Sequence, residues 1–147
     1  MLRYAHFRIK FVKLLKFFKL KRTHKKIFVL VSLWTTIFML LKVFLSLRLL
    51  IKISQSRILL PKSKIILTLD EIIYVSDLSF KHIISPSCLV KSLALRKLSL
   101  HYTEYAKLKI GVKKINNELE SHAWIEVDGK ILNNEDITDY ELIYSET

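Results

Sequence analysis

The chain has 147 residues, of which 51% are hydrophobic and 26% charged, and 25 Lys and Arg against 13 Asp and Glu give it a formal charge of +12. This length suits one domain with an appendage. Two glycines, two prolines and one cysteine exclude a collagen-like, linker-like or broadly disordered chain, a disulfide scaffold and a thiolate zinc site. A lone thiol is typical of a reducing compartment, so we expect a cytoplasmic protein.

The charge is distributed unevenly along the chain. Residues 1–69 contain 16 Lys and Arg and no acid, whereas residues 70–147 contain nine Lys and Arg and all 13 acids. This change in composition divides the chain into a basic, hydrophobic helical region at 1–66 and a second domain at 67–147.

The basic region contains two apolar segments. In residues 1–20, aromatic and leucine residues recur at helical spacing between lysines, which predicts a basic amphipathic helix. Its partner is an anionic membrane surface, another protein or the rest of this chain, and nucleic acid is disfavoured because no base-reading motif is present. Ile27–Leu41 carries no charge, and the apolar character continues to Ile51. A membrane span at 27–51 is one alternative. A buried or interfacial helix is favoured, because a span needs about 20 apolar residues and the uncharged segment Ile27–Leu41 is shorter.

The sequence of the second domain predicts helices followed by strands. Asp70 can cap a first helix that reaches Ile83. A second helix, about Ser87–Leu100, is expected to begin with Ser85 as N-cap and Pro86 at its first position. Strands are predicted at Leu108–Val112 and Ala123–Val127, and a tight hairpin is predicted at Asp128-Gly129. We therefore expect an α+β fold in which a helix packs on antiparallel strands.

Cys88 is the candidate nucleophile. It falls in the first turn of the second predicted helix, where unpaired backbone N–H groups and the helix dipole stabilise a thiolate. His122 begins a predicted strand, whose alternation places it on one face with Trp124 and Glu126. A cysteine at a helix N-terminus and a histidine on a facing strand form the arrangement that a thiolate–imidazolium pair requires. For position 88 taken alone, a small buried cysteine without chemistry is the simpler alternative.

A third residue should accept the second imidazole N–H of His122, and the register of the following hairpin decides which residue that is. A two-residue turn at Asp128-Gly129 sets Glu135 opposite His122, whereas a three-residue turn beginning at Val127 sets Asn134 there.

We expect the three-residue register. It pairs Glu126 with Lys130 on one face and two isoleucines on the other. Trp124 is expected either to form a wall of the site or to pack in the core. No metal or cofactor motif accompanies the predicted site, which consists of Cys88, His122 and Asn134, with Glu135 or Asp136 as the orienting residue if the turn is built differently.

These residues carry a family resemblance. The segments concerned are Cys88-Leu89-Val90-Lys91-Ser92-Leu93-Ala94-Leu95, Lys109-Ile110-Gly111-Val112, His122-Ala123-Trp124-Ile125-Glu126, Asp128-Gly129 and Leu132-Asn133. In order and spacing, over roughly residues 70–140, the chain resembles the transglutaminase-like B proteins of lasso-peptide biosynthesis. Its Ile27–Ile51 region is more loosely similar to the family's leucine-rich N-terminal helix.

The resemblance implies a papain-like cysteine protease, in its stand-alone form, that removes the leader from a ribosomally made precursor peptide before macrolactam ring closure. It implies three partners: the precursor peptide, a separate leader-binding protein, and the ATP-dependent macrolactam synthetase. Dependence on ATP would come through that maturation complex, because the sequence has no phosphate-binding loop.

One position departs from the family pattern. The family usually has aspartate where this chain has Asn134, whose carbonyl oxygen still accepts the imidazole N–H but offers no negative charge. The alternative function is therefore a membrane-associated transglutaminase-like protein that is non-catalytic or that transfers the acyl group to an amine. Since no acid precedes Asp70, we expect residues 1–51 to dock on the anionic inner face of the membrane or on the synthetase.

Overall fold

The computed structural model describes residues 21–56, 68–81, 86–100, 106–132 and 136–146. Some sequence predictions fall outside these ranges: the helix in residues 1–20, the division between residues 66 and 67, the end of the first helix at Ile83, the N-cap at Ser85, and the placement of Asn134 and Glu135. The described residues form four helices, which are α1 (Arg22–Phe44), α2 (Leu47–Gln55), α3 (Leu69–Phe80) and α4 (Cys88–Ser99).

A four-stranded antiparallel sheet follows the helices. Its strands are β1 (Ala106–Ile115), β2 (Glu118–Val127), β3 (Lys130–Ile131) and β4 (Glu141–Ser145), in the order β3-β2-β1-β4. The predicted α+β class is confirmed, and both predicted strands lie within β1 and β2. The sequence analysis did not predict β4 or the β1–β2 turn. That turn uses Asn116 and Asn117 at positive φ, a conformation that asparagine tolerates better than most residues.

Two helix starts differ from the sequence predictions. Thr68, not Asp70, caps α3: its Oγ1 accepts from the Glu71 backbone N–H at 3.3 Å, and Glu71 Oε2 accepts from the Thr68 N–H at 3.1 Å. This reciprocal capping box satisfies two N–H groups at once, which a cap by Asp70 alone does not. The pKa of Glu71 is lowered, first by the Thr68 backbone hydrogen bond and then by His24.

The second correction concerns α4. Its N-cap is Ser87, which is extended at ψ 158°, and Cys88 is the first helical residue. The predicted start, with Pro86 at the first helical position, is therefore wrong, and Ser85 lies outside the described residues. The first helical hydrogen bond runs from the Lys91 N–H to the Ser87 carbonyl at 3.0 Å.

Residues from both predicted regions share one hydrophobic core. Helix α1 lies against α3 and α4, and α4 in turn covers one face of β1 and β2. The buried side chains at the centre come from helices and strands alike, among them Ile27, Val31, Phe38, Ile72, Val75, Leu93, Leu98, Leu108 and Ile125.

Two buried cations of α4 hold α2 in place. Arg96 pairs with Glu146 and donates to Ser54 Oγ at 3.2 Å and to the Ala106 carbonyl at 3.2 Å. Lys97 is 1% exposed, and its Nζ donates to the Ile53 carbonyl at 3.1 Å and to both oxygens of Ser56. The Ile53 and Ser56 carbonyls lie at the C-terminal end of α2, where the helix dipole makes a cation favourable.

Candidate active site

Helix α4 meets strand β2 on both sides of His122. Cys88 Sγ lies 4.0 Å from the carbonyl oxygen of Ser121, and one turn later Ser92 Oγ donates to the carbonyl of Ala123 at 2.8 Å. Four helical residues rise about 6 Å and two strand residues about 6.8 Å, so the two elements run side by side between these contacts. The N-terminus of α4 is thereby held beside the histidine-bearing strand.

The direction of the strand carbonyls explains this contact. The Leu132 N–H donates to the Ile125 carbonyl at 2.9 Å, which shows that this carbonyl points toward the β3 side of β2. Because backbone groups alternate along a strand, the carbonyls of Ala123 and Ser121 point the same way. The side chains of Cys88 and Ser92 approach the carbonyls of Ser121 and Ala123, respectively.

Two aromatic rings enclose the His122 side chain, which is 9% exposed. The ring of Trp124 is nearly parallel to it, with centroids 6.3 Å apart and 12° between the planes. The ring of Tyr140 lies 5.3 Å away at 44°. Ring contacts of this kind restrict the orientation of an imidazole. Trp124 therefore lies beside His122 and is buried, at 3% exposed.

Gly111 is the residue of β1 directly opposite His122. A Cβ at position 111 would lie 3.0 Å from Trp124 Cη2, from the Glu141 carbonyl oxygen and from Tyr140 Cβ. The β1–β4 register also shifts at this point, between Ile110 and Gly111. Gly111 thus allows both a close approach and a bulge, as its position in a strand suggests.

The sequence analysis did not identify Tyr140. The residue comes from the segment before β4, and nothing in its local sequence marks it as a neighbour of His122. Lys113 Nζ lies 4.4 Å from the Tyr140 ring centroid and 3.6 Å from Glu120 Oε2. The hydrogen bond to Tyr140 is the main cause that raises the pKa of Lys113, and Glu120 adds to it. A cation over the ring helps to fix Tyr140.

The hairpin register differs from the expected one. Val127 pairs with Lys130 and Glu126 with Ile131, so the turn has two residues. Asp128 and Gly129 both have positive φ, at 49° and 79°, as in a type I′ turn that matches the twist of the strands. The three-residue register is therefore wrong.

The expected pairing of Glu126 with Lys130 is wrong as well. Glu126 Oε2 lies 2.5 Å from Lys109 Nζ on β1, while Lys130 pairs with Asp70 at the start of α3. An exposed pair across the hairpin contributes too little to override the turn geometry, because such pairs contribute about 0–1 kcal/mol.

The orienting residue remains a prediction. Asn134 and Glu135 lie outside the described residues, and the two-residue register is the one that the sequence analysis associated with Glu135. Asp136 is described: its Oδ1 accepts from the Thr138 N–H at 3.0 Å and from Thr138 Oγ1 at 2.5 Å. These bonds lower the pKa of Asp136 and use its carboxylate within its own turn.

The first turn of α4 offers backbone donors beside the thiol. Ser87 makes no side-chain cap hydrogen bond, and the first N–H groups of a helix have no partner within it. They can therefore bind an oxyanion that forms next to Cys88 Sγ. Within the described ranges, no cluster of three or more His, Cys, Asp or Glu could hold a metal ion.

Comparison with known proteins gives one match. Residues 71–145, slightly more than half of the chain, match the family model described as transglutaminase-like superfamily, a segment that includes both Cys88 and His122. No curated protein and no solved structure matches the chain.

Proposed function

The chain belongs to the transglutaminase-like superfamily, and from this premise we propose that it is a cysteine peptidase in which Cys88 is the nucleophile and His122 the general acid and base. The superfamily includes papain-like cysteine peptidases and transamidases, which share the same first step. The proposal rests chiefly on one observation, that α4 contacts β2 through Cys88 and Ser92 on either side of His122.

The chemistry proceeds in two steps. His122 takes the proton of Cys88, and the Sγ attacks the peptide carbonyl while the N–H groups of the first turn of α4 bind the oxyanion. The tetrahedral intermediate then collapses: the C–N bond breaks, His122 protonates the leaving amine, and a thioester remains on Cys88.

In the second step His122 removes a proton from water, which attacks the thioester. The C–S bond breaks, Cys88 is regenerated, and the acyl group leaves as a carboxylic acid. The enclosure of His122 by Trp124 and Tyr140 supports this role, since both steps need the imidazole in one orientation.

For the substrate, we propose the leader–core junction of a ribosomally made lasso-type precursor peptide. The segments around Cys88 and His122 that resemble the lasso B proteins support this choice. The partners under this proposal are the precursor peptide, a separate leader-binding protein and the ATP-dependent macrolactam synthetase, all in the cytoplasm.

Mass spectrometry of a candidate precursor peptide tests the proposal. The peptide is incubated with the full-length protein and the separate leader-binding protein, beside Cys88→Ala, His122→Ala and the exposed control Thr36→Ala. We expect two fragments whose masses sum to the precursor plus one water, present with the control variant and absent with the other two.

Other results would contradict the proposal. A fragment that carries an added amine in place of water would identify a transamidase. No cleavage, together with a Cys88 that iodoacetamide does not alkylate in the folded protein, would identify a non-catalytic member of the superfamily.

A further set of variants assigns the orienting residue. We expect Asn134→Ala or Glu135→Ala to lower kcat by about 100-fold or more, and Asp136→Ala to leave it nearly unchanged because that carboxylate bonds to Thr138. If Asn134 is the residue, Asn134→Asp should retain activity. A large loss confined to Asp136→Ala would refute this assignment.

A further inference from the structure

Helix α1 is apolar on all sides, but the domain covers only one of them. Its inner side, which includes Ile27, Val31 and Phe38, is fully buried. Of the described helices, α1 alone is long and apolar enough to cross a membrane. The opposite side, here called the outer face, consists of Val29 (55% exposed), Leu33 (52%), Leu40 (63%), Val43 (72%) and Phe44 (83%).

The outer face forms one stripe along α1, interrupted by a single polar residue. Val29, Leu33, Leu40 and Phe44 are separated by four or seven residues, so they lie above one another along the helix. The gap between Leu33 and Leu40 is occupied by Thr36, whose hydroxyl donates to the Ser32 carbonyl of its own helix at 2.9 Å. A contiguous exposed apolar patch of this kind marks a protein or membrane interaction site.

Charge favours a membrane as the occupant. Arg22 and Lys26 are exposed at one end of α1, and Lys42 and Arg48 are exposed at the other. No acid occurs in residues 1–69. An apolar stripe with cations at both ends matches the boundary of an anionic bilayer, where acyl chains lie below phosphate groups.

We propose that the outer face of α1 docks on an anionic membrane and lies in its interfacial layer, parallel to the surface. This interaction is separate from the proposed peptidase chemistry.

Contacts on the inner side of α1 argue against a transmembrane orientation. Ser32 Oγ lies 2.7 Å from Ser79 Oγ, His24 Nε2 lies 3.2 Å from Glu71 Oε1, and Lys97 Nζ lies 4.8 Å from the Trp34 ring centroid. These contacts attach α1 to α3 and α4 over much of its length. A spanning α1 would draw their charged residues into hydrocarbon, where charged side chains are strongly unfavourable.

A site-specific fluorophore tests the proposal. In full-length Cys88→Ala protein, single cysteines introduced by Leu33→Cys, Leu40→Cys and, as a control, Leu119→Cys are labelled with an environment-sensitive dye. Leu119 is 76% exposed and belongs to the β1–β2 hairpin. Site-specific labels are needed because residues 1–20 carry six further cations.

Vesicles of phosphatidylcholine, alone or with about 30% phosphatidylglycerol, are then added. We expect a blue shift at positions 33 and 40 with the anionic vesicles only, shallow lipid quenchers more effective than deep ones at both positions, and no change at position 119. In unlabelled protein, the double variant Leu40→Ser/Phe44→Ser should lower the partition coefficient at least about tenfold, and Leu119→Ser should not.

Three results would overturn the proposal. Deep quenching that is strongest near the middle of α1 would indicate a span. Equal shifts with both vesicle types would exclude recognition of anionic lipid. An absence of any shift at positions 33 and 40 would exclude the membrane as the occupant of the outer face. Peptide cleavage assayed without vesicles tests the peptidase independently.

Discussion

Gly111 lies directly across the β1–β2 pair from His122, and the missing side chain at position 111 leaves the space that Trp124 and Tyr140 occupy beside the imidazole. Both side chains depend on this space, because a Cβ there would lie 3.0 Å from Trp124 Cη2 and 3.0 Å from Tyr140 Cβ. Gly111 has no side chain to contact His122, and it contributes to the orientation of the imidazole by leaving space for Trp124 and Tyr140.

Gly111→Ala should therefore damage the site more than the fold. We expect the free energy of unfolding to fall by about 1–3 kcal/mol and kcat for peptide cleavage to fall at least about tenfold, because a displaced imidazole loses its alignment. Urea unfolding and steady-state cleavage measure the two effects.

Gly129→Ala is the matched control for this change. Gly129 has φ +79°, so alanine is strained there, but nothing lies within 4 Å of its added Cβ. We expect a similar loss of stability with unchanged kcat. Equal losses of kcat in the two variants would contradict a specific role for Gly111.

Ser92→Ala should loosen α4 from β2. The hydroxyl is buried and donates to the Ala123 carbonyl at 2.8 Å, so its removal leaves an acceptor without this donor and should cost about 1–3 kcal/mol of stability. Thermal unfolding measures the cost. Thr36→Ala, which removes an exposed hydroxyl bonded within its own helix, should change stability by less than about 0.5 kcal/mol. Equal effects of the two changes would refute the anchoring role of Ser92.

Arg96→Met should destabilise the protein strongly. It removes the cation that joins Glu146, Ser54 and the Ala106 carbonyl, and it leaves a nearly buried carboxylate without its charge partner. Loss of one member of a buried ion pair costs about 3–5 kcal/mol. Chemical denaturation measures this loss, and Lys130→Ala, which breaks the exposed pair with Asp70, should cost less than about 1 kcal/mol. A small effect at Arg96 would show that α2 does not depend on this cluster.

Lys97 should make stability depend on alkaline pH. Burial lowers the pKa of Lys97 in the folded protein below its ordinary value of 10.5, so between the two values the unfolded chain binds more protons than the folded one. The free energy of unfolding therefore increases as the pH rises through that window. Below the folded pKa, Lys97 is charged in the folded protein, and its full desolvation cost lowers the stability.

The Lys97→Met variant isolates the contribution of Lys97 to the pH dependence of the free energy of unfolding. As the pH rises toward about 10.5, the difference in unfolding free energy between the parent and Lys97→Met should move in favour of the parent. Denaturant titrations at several pH values measure it, with Lys52→Met, which replaces an exposed lysine of α2, as the matched control. A constant difference over the range would contradict the prediction.

Local signals in the sequence account for the elements that it predicted correctly. The helix after Pro86, strands β1 and β2 and the turn at Asp128-Gly129 follow from periodicity and turn preferences that act over a few residues. The start of α3 differs from the expected one because Thr68 and Glu71 act together in a capping box, which a cap by Asp70 alone does not reproduce.

The hairpin register shows where local reasoning fails. The sequence analysis weighed a pair between Glu126 and Lys130, but each residue has another partner, Lys109 on β1 and Asp70 at the start of α3. Those partners are 17 and 60 residues away. A charge pair between neighbouring strands is therefore a weak guide to register when other strands and helices supply competing charges.

The sequence by itself determined the α+β class, the basic and apolar first region, and the placement of Cys88 and His122 on a helix start and a strand, because composition and periodicity are properties of short segments. Only the tertiary structure decided that α4 flanks His122 through Cys88 and Ser92, that Tyr140 joins Trp124 beside the imidazole, across from Gly111, and which side of α1 is left uncovered. These relationships depend on contacts between residues distant in the chain, and burial on one side of a uniformly apolar helix is set by the elements that pack against it rather than by its own residues.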